Sequence, residues 1–269
     1  MRFGFRPSRV AAIMRRDLLI ARSYLFALWF DLGFGLVELF IYFFVSRTFA
    51  DVAPASLGGA PSYFAYVAVG IILTLIVGAA SAGIVDRVRN EQQVGTFETL
   101  VAQPIGSIEL CIGMIAYPFL FAVLRAGLYF AVAIALLGLD LPRASWLGLV
   151  VVLAASSAAL IAIGIVLAAF VVVFKRGANL SWVIALALGL AGGAYFPISV
   201  LPVWLQIASD ALPTRHIFDG TRAALFEGGG WIYEALALAA FSAVCLPLAL
   251  WIFAGALEAA KRRGSLAEY

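Results

Sequence analysis

Charge is scarce in this chain. Asp, Glu, Lys and Arg make up 12% of its 269 residues, where a soluble domain carries about 25%. With 64% hydrophobic residues and a mean hydropathy of +1.05, that scarcity excludes a water-soluble globular domain and indicates an integral membrane protein. There is one histidine, His216, which excludes a multi-histidine metal site and leaves a residue suited to hydrogen bonding in a loop. There are two cysteines, Cys111 and Cys245, each inside an apolar run. Neither setting suits a disulfide or a metal, so both read as small apolar packing residues. No Gly-x-x-x-x-Gly-Lys-Ser/Thr phosphate loop occurs anywhere, so the chain does not bind ATP in that manner. Residues 1–24 lack the long apolar core and small-residue cleavage site of a signal peptide. Period-two alternation is missing as well, which disfavours a barrel.

What the sequence has is apolar length. Continuous runs predict six membrane helices near 25–50, 61–85, 108–138, 145–174, 178–196 and 231–257. Each can cross roughly 30 Å of hydrocarbon at 1.5 Å per residue. Basic residues orient them. Six arginines precede the first span, Arg87 and Arg89 follow the second, Lys175 and Arg176 the fourth, and Lys261, Arg262 and Arg263 the sixth. The opposite loops hold only Arg47, Arg143, Arg215 and Arg222. The richer side is expected to be cytoplasmic, which puts both termini and residues 86–105 there, in a multi-pass protein of the cell inner or plasma membrane. Pro7 and Ser8 can open a helix, with Ser8 as its cap. Val10, Ile13, Met14 and Leu18 share one side of it, and Arg9, Arg15, Arg16 and Arg22 lie elsewhere. That pattern reads as an interfacial helix on the inner leaflet over residues 1–24, preferred over a plain basic tail. Asp17 falls on the apolar side and does not fit it.

Two segments break the apolar pattern. Residues 86–105 open with charges, hold Thr96 and Glu98 mid-way, and place Val94, Phe97, Leu100 and Val101 at helical spacing. Pro104 stops the helix before the next span. A short amphipathic helix between two membrane helices suits docking into a groove of another protein. Within residues 192–222, Phe196 to Leu212 is too apolar for a solvated loop, and Pro197, Pro202 and Pro213 prevent one straight helix. Pro202 can open a short helix over 203–212, with Val203, Trp204, Ile207 and Leu212 on its apolar face. Such a segment either re-enters the outer leaflet under cover of other helices or forms a structured external loop.

These segments carry a resemblance. Glu91 to Ile105 is similar to the E-x-x-x-G-T-x-E-x-L-L-x-x-P cytoplasmic loop of ABC-2 type transporter permeases. Tyr195 to Leu205 resembles their P-x-x-x-L-P-x-W external motif, and Leu212 to Arg222 the P-x-x-x-x-x-D-x-x-R stretch that follows. Six spans, cytoplasmic termini and an N-terminal interfacial helix extend the resemblance over essentially the whole chain. It implies an all-α membrane fold whose six-helix transmembrane domain runs over 25–257, followed by a cytoplasmic tail at 258–269. It implies the membrane subunit of an exporter, pairing with a second copy of itself and two copies of a cytoplasmic ATP-binding subunit. ATP and Mg then belong to that partner, this chain carries no cofactor and is not itself an enzyme, and no nucleic acid is involved. Residues 91–103 become the coupling helix, with Glu91, Gly95, Thr96, Phe97, Glu98 and Thr99 at the ATPase. Residues 196–222 become external re-entrant helices, with Phe196, Pro197, Leu201, Pro202, Trp204 and Pro213 at the outer gate.

Charges within spans need partners or a function. Asp31 and Glu38 lie seven apart on one face of the first helix, and Arg125 lies near the middle of the third. A Glu38–Arg125 ion pair is preferred, ahead of a substrate contact or a proton relay. Gly189 and Gly193 form a Gly-x-x-x-Gly pair suited to close helix contact. The resemblance puts the fifth and first spans at a dimer interface beside the pathway. Aromatics there, Phe26, Trp29, Phe30, Phe34 and Trp182, either line a greasy route or simply pack and face lipid. The function expected is export of a hydrophobic or amphipathic compound such as a drug, antibiotic or lipid-linked molecule. A polysaccharide or teichoic-acid exporter is the alternative, and an intramembrane enzyme a distant one.

Overall fold

The computed structural model describes residues 6–48, 57, 59–174 and 178–262. Arg2, Lys175, Arg176 and Arg263, used above for orientation, lie outside them. Among the described residues the chain is helical and holds no strand. Five helices are long and apolar enough to cross a membrane: α2 (Leu25–Thr48), α3 (Tyr63–Ser81), α6 (Ser107–Leu137), α7 (Trp146–Phe174) and α11 (Trp231–Arg262). The fifth expected span, 178–196, is shorter than its apolar composition suggests. Its helix, α8, covers Ala178–Ala191. At 1.5 Å per residue such a helix rises about 21 Å.

α1 (Pro7–Ser23) precedes the bundle and lies against α6. Its start differs from the sequence reading. Arg6 is the cap residue, Pro7 occupies the first helical position, and Ser8 sits inside the first turn without capping it. A carboxylate of α6 holds this start instead, through one backbone N–H and one guanidinium. Glu109 accepts from the Arg6 N–H at 2.5 Å and from Arg9 Nη1 at 2.9 Å. One turn further along α6, Gly113 leaves room for Ile13, because a Cβ there would stand 2.6 Å from the Ile13 Cδ1.

Helix α3 is the axis of the fold and is buried nearly all round. Ser62 caps it, accepting from the Ala65 N–H at 3.1 Å. Gly70 lets the turn after α8 touch its backbone; a Cβ there would fall 1.8 Å from the Ala194 carbonyl oxygen. The Gly-x-x-x-Gly reading of Gly189 and Gly193 does not hold as a helix contact. Gly189 packs on Thr74 of α3, but Gly193 lies beyond the end of α8, in a left-handed turn at φ +86.

The apolar side chains sort into two cores. One surrounds α3, α6 and α7 and includes Ile71, Ile72, Tyr129, Leu160 and Phe218. The other lies towards the α1 end and includes Ile13, Val88, Phe97, Met114, Phe253 and Leu257. The α1 end is here called the basic end, and the opposite one the far end. α7 and α11 form the most extensive helix pair and link the two cores. By contrast α2 is thinly packed, and Phe26, Trp29, Phe30, Phe34 and Phe44 stand exposed along it.

Candidate functional site

At the basic end α3 runs on through Ala82 into α4 (Gly83–Gln93), and α5 (Phe97–Ala102) follows. The junction has a definite chemistry. Gly95 takes φ +78, which a side chain would strain. The Gly95 N–H donates to the Gln92 carbonyl at 3.1 Å and the Thr96 N–H to the Glu91 carbonyl at 3.0 Å. That is a Schellman ending, with glycine where the left-handed residue must stand. An added Cβ at Gly95 would meet nothing within 4 Å, so the demand is conformational and not steric.

Of the six residues expected at the partner, two are turned inward. Phe97 is fully buried in the second core, and Glu91 is 6% exposed. Gly95, Thr96, Glu98 and Thr99 are exposed, as are Gln93 and Val94. Val94 thus stands apart from the apolar face that Phe97, Leu100 and Val101 share against the core.

Glu91 belongs to a charge cluster that sequence reasoning did not see. It accepts from Arg16 Nη2 at 2.8 Å and from the Thr96 hydroxyl at 2.5 Å, and Arg87 lies 3.5 Å away. Arg16 and Arg87 both reach Asp17, which is 2% exposed. Two carboxylates and two guanidiniums therefore balance one another under the turn. The cluster explains the one misfit in α1: Asp17 faces inward because Arg87 of α4 faces it. The available signal was that acidic misfit itself, together with Arg87 four residues before Glu91.

Between α3, α6 and α8, with α2 at its edge, lies a cavity of about 720 Å³. Small residues line the α3 side: Gly78, Ala79, Ala82 and Gly83. Tyr117 and Phe121 of α6 and Trp182 of α8 supply aromatic faces. Asp31 and Arg125 line it too, and they form an ion pair with each other. The expected Glu38–Arg125 pair is thus corrected. Glu38 lies two turns beyond Asp31, about 10 Å along the helix, and accepts instead from the Tyr195 hydroxyl at 3.3 Å. Arg125 stands level with the nearer carboxylate.

The far end carries a second Schellman ending, closing α8. The Gly193 N–H donates to the Leu190 carbonyl at 3.1 Å and the Ala194 N–H to the Gly189 carbonyl at 3.0 Å. Two side chains fasten this turn. The Tyr66 hydroxyl donates to the Gly193 carbonyl at 2.9 Å. Arg222 Nη2 donates to the carbonyls of Gly193 at 2.9 Å, Tyr66 at 3.1 Å and Ala194 at 3.2 Å. Its guanidinium carbon lies 3.5 Å from the centroid of the Tyr66 ring. Burial pulls the Arg222 pKa down, and Tyr66 and Asp219 oppose that.

The chain then passes a single 3₁₀ turn (Ile198–Val200), α9 (Val203–Asp210), α10 (Pro213–Arg222) and a π turn (Ala223–Glu227). Pro202 stands immediately before α9, as its φ constraint suggests, and Pro213 opens α10. Pro213 is buried; Phe196, Pro197 and Leu201 are half-buried; Pro202 and Trp204 are exposed. α9 turns Val203, Trp204 and Ile207 outward, while α10 packs into the bundle. His216 sits in α10, not in a loop, with Nδ1 2.5 Å from Glu234 Oε2.

The sequence profile described as ABC-2 type transporter matches residues 10–226. No curated protein matches the chain. A match over that length makes this chain a member of the ABC-2 type transporter family: a multi-pass membrane permease, a transporter component and not a catalytic one.

Proposed function

We propose that this permease exports a hydrophobic or amphipathic compound, such as a drug, an antibiotic or a lipid-linked molecule, from the cytoplasm or inner leaflet. It acts as one of two copies, with two copies of a separate subunit that binds ATP and Mg. The observation that carries the reading is the cavity of about 720 Å³, walled by α3, α6 and α8 and bordered by the thinly packed α2. That volume suits a compound of drug size, whereas a polysaccharide or teichoic acid needs a wider, continuous channel. An intramembrane enzyme is not favoured, since the deep ionisable groups are engaged with one another or with Tyr195.

The basic end faces the cytoplasm in this reading, following its arginines. Val94, Gly95, Glu98 and Thr99 meet the ATP-binding subunit from the exposed side of the turn. Glu91, Thr96 and Phe97 hold the turn's shape from beneath. α1 lies on the inner leaflet, and its ion pairs to α4 tie the coupling turn to the membrane surface. At the far end, α9 and α10 close the outer mouth, with the apolar face of α9 dipping into the outer leaflet.

The test is the permease reconstituted with its ATP-binding subunit and challenged with a compound panel. Hydrolysis should rise several-fold with a subset of amphipathic compounds, and the same compounds should be transported into sealed vesicles. Hydrolysis indifferent to every such compound, with export of a polymer instead, would overturn the choice of substrate class.

A further inference from the structure

The charges around the cavity are not equivalent. Arg87 is engaged by two carboxylates, Asp17 and Glu91. Asp86, beside it on the wall, is exposed, with Arg89 as its charged neighbour. Deeper in, the side chain of Arg125 is 16% exposed and that of its partner Asp31 is 54% exposed. In the Asp31–Arg125 pair the accessible half is therefore the carboxylate, while Arg87, the more exposed member of its own pairs, is held by two carboxylates.

The aromatic wall agrees with the sign. Tyr117 and Phe121 lie one turn apart on α6 with rings stacked at 6.2 Å and 15°. The Arg125 guanidinium already sits 6.0 Å from the Phe121 centroid, so this wall holds a cation over an aromatic face. Trp182 of α8, exposed, also lines the cavity. Between them the lining is small, and a Cβ added at Gly78 would meet nothing within 4 Å. Carboxylates, aromatic faces and an apolar floor together complement an apolar body carrying diffuse positive charge.

We propose that the cavity takes lipophilic organic cations, with the cationic centre beside Asp31 and the apolar body between Phe121 and Trp182. Asp86 draws such cations in at the mouth. An arriving cation shares Asp31 with Arg125, while an anion of the same shape meets two carboxylates and gains no free guanidinium. This assignment rests on the reading of the chain as an exporter of amphipathic compounds and names the class within it.

Tetraphenylphosphonium and tetraphenylborate have nearly the same shape and opposite charge. Equilibrium dialysis of each against the full chain in lipid nanodiscs, corrected with empty discs, reads the preference directly. The phosphonium should bind saturably and at least about tenfold more tightly than the borate. Asp31→Asn should weaken the phosphonium about tenfold, and Asp86→Asn by a smaller factor. Arg125→Gln breaks the same ion pair yet should strengthen phosphonium binding, because it frees Asp31. A purely structural ion pair would make Asp31→Asn and Arg125→Gln act alike. Equal affinity for both ions, or equal losses in both variants, would overturn the assignment. In the reconstituted complex, hydrolysis stimulated by neutral or anionic amphiphiles but not by the phosphonium would leave export standing and remove the cation site. Phosphonium binding that no amphiphile converts into stimulated hydrolysis would do the reverse.

Discussion

Two left-handed glycines, Gly95 and Gly193, end helices at opposite ends of this bundle in the same backbone geometry, yet they are secured by different chemistry. Beside Gly193 one arginine, Arg222, holds three backbone carbonyls, joined at Gly193 by the Tyr66 hydroxyl, and its own charge has no direct carboxylate contact among the described residues. Beneath Gly95 four side chains on two helices, Arg16 and Asp17 of α1 with Arg87 and Glu91 of α4, pair with one another. The far-end turn is therefore held by two donors, Arg222 and the Tyr66 hydroxyl, to fixed backbone, and the basic-end turn by a mutual arrangement of side chains. A turn of the first kind is a rigid corner. A turn of the second kind joins two elements that can shift together, which suits a surface that must pass motion from a partner to the membrane domain.

The sharpest contrast is expected on removing one member from each. Arg222→Leu removes the guanidinium from three carbonyls, of which Gly193 keeps the Tyr66 hydroxyl, and should cost on the order of 4 kcal/mol, read as a lowered thermal midpoint in detergent and poor recovery of folded protein. Arg222→Lys should recover only part, since an ammonium does not span the same three oxygens with a planar fork. Asp17→Asn should cost somewhat less, about 3 kcal/mol, by leaving two guanidiniums against one carboxylate. Asp17→Asn with Arg87→Gln should regain much of that loss, because the cluster is balanced again. If the double variant is as unstable as the sum of the singles, the four charges do not act as a unit.

The middle of the bundle offers a smaller effect. Asp31→Asn and Arg125→Gln should each cost about 1 kcal/mol, since the Asp31 side chain is half-exposed towards the cavity. They should be coupled in a double-mutant cycle, whereas Glu38→Gln and Arg125→Gln should add without coupling. Gly95→Ala should cost about 1 kcal/mol from the left-handed backbone alone, with no clash. Its larger consequence should be functional, as hydrolysis less tightly linked to transport. Cysteines at Val203 and Ile207, with Cys111 and Cys245 replaced, should leave stability untouched. They should label slowly with a membrane-impermeant thiol reagent and change rate when ATP binds. Fast labelling indifferent to nucleotide would make α9 an ordinary exposed helix.

The bundle was readable because its spans are continuous and its breaks are marked by proline. Pro104, Pro202 and Pro213 all bound short helices where a fixed φ demands it. The loop motifs gave the family, which the profile match over residues 10–226 supports. Contacts distant in sequence were not readable. Asp17 and Arg87 are 70 apart, and Asp31 and Arg125 are 94 apart. Glu38 is the preferred partner of Arg125 on pattern because both lie near the middle of their spans, yet the relative height of α2 and α6 brings Asp31 to it instead. Gly193 looked like a helix-packing residue because spacing carries no sign of φ. Glu91 looked like a surface residue because its motif neighbours are, although its side chain turns under the turn they form.

The central claim is that the exposed side of the Gly95 turn meets a cytoplasmic ATP-binding subunit while the far end does not. A photo-crosslinking amino acid placed at Glu98, and separately at Ile207, in cells carrying both subunits tests it directly. Position 98 should yield a covalent adduct with the ATP-binding subunit, and position 207 should yield adducts only with lipid or a second copy of the permease. An adduct between position 207 and the ATP-binding subunit, with none at position 98, would contradict the assignment of the two ends.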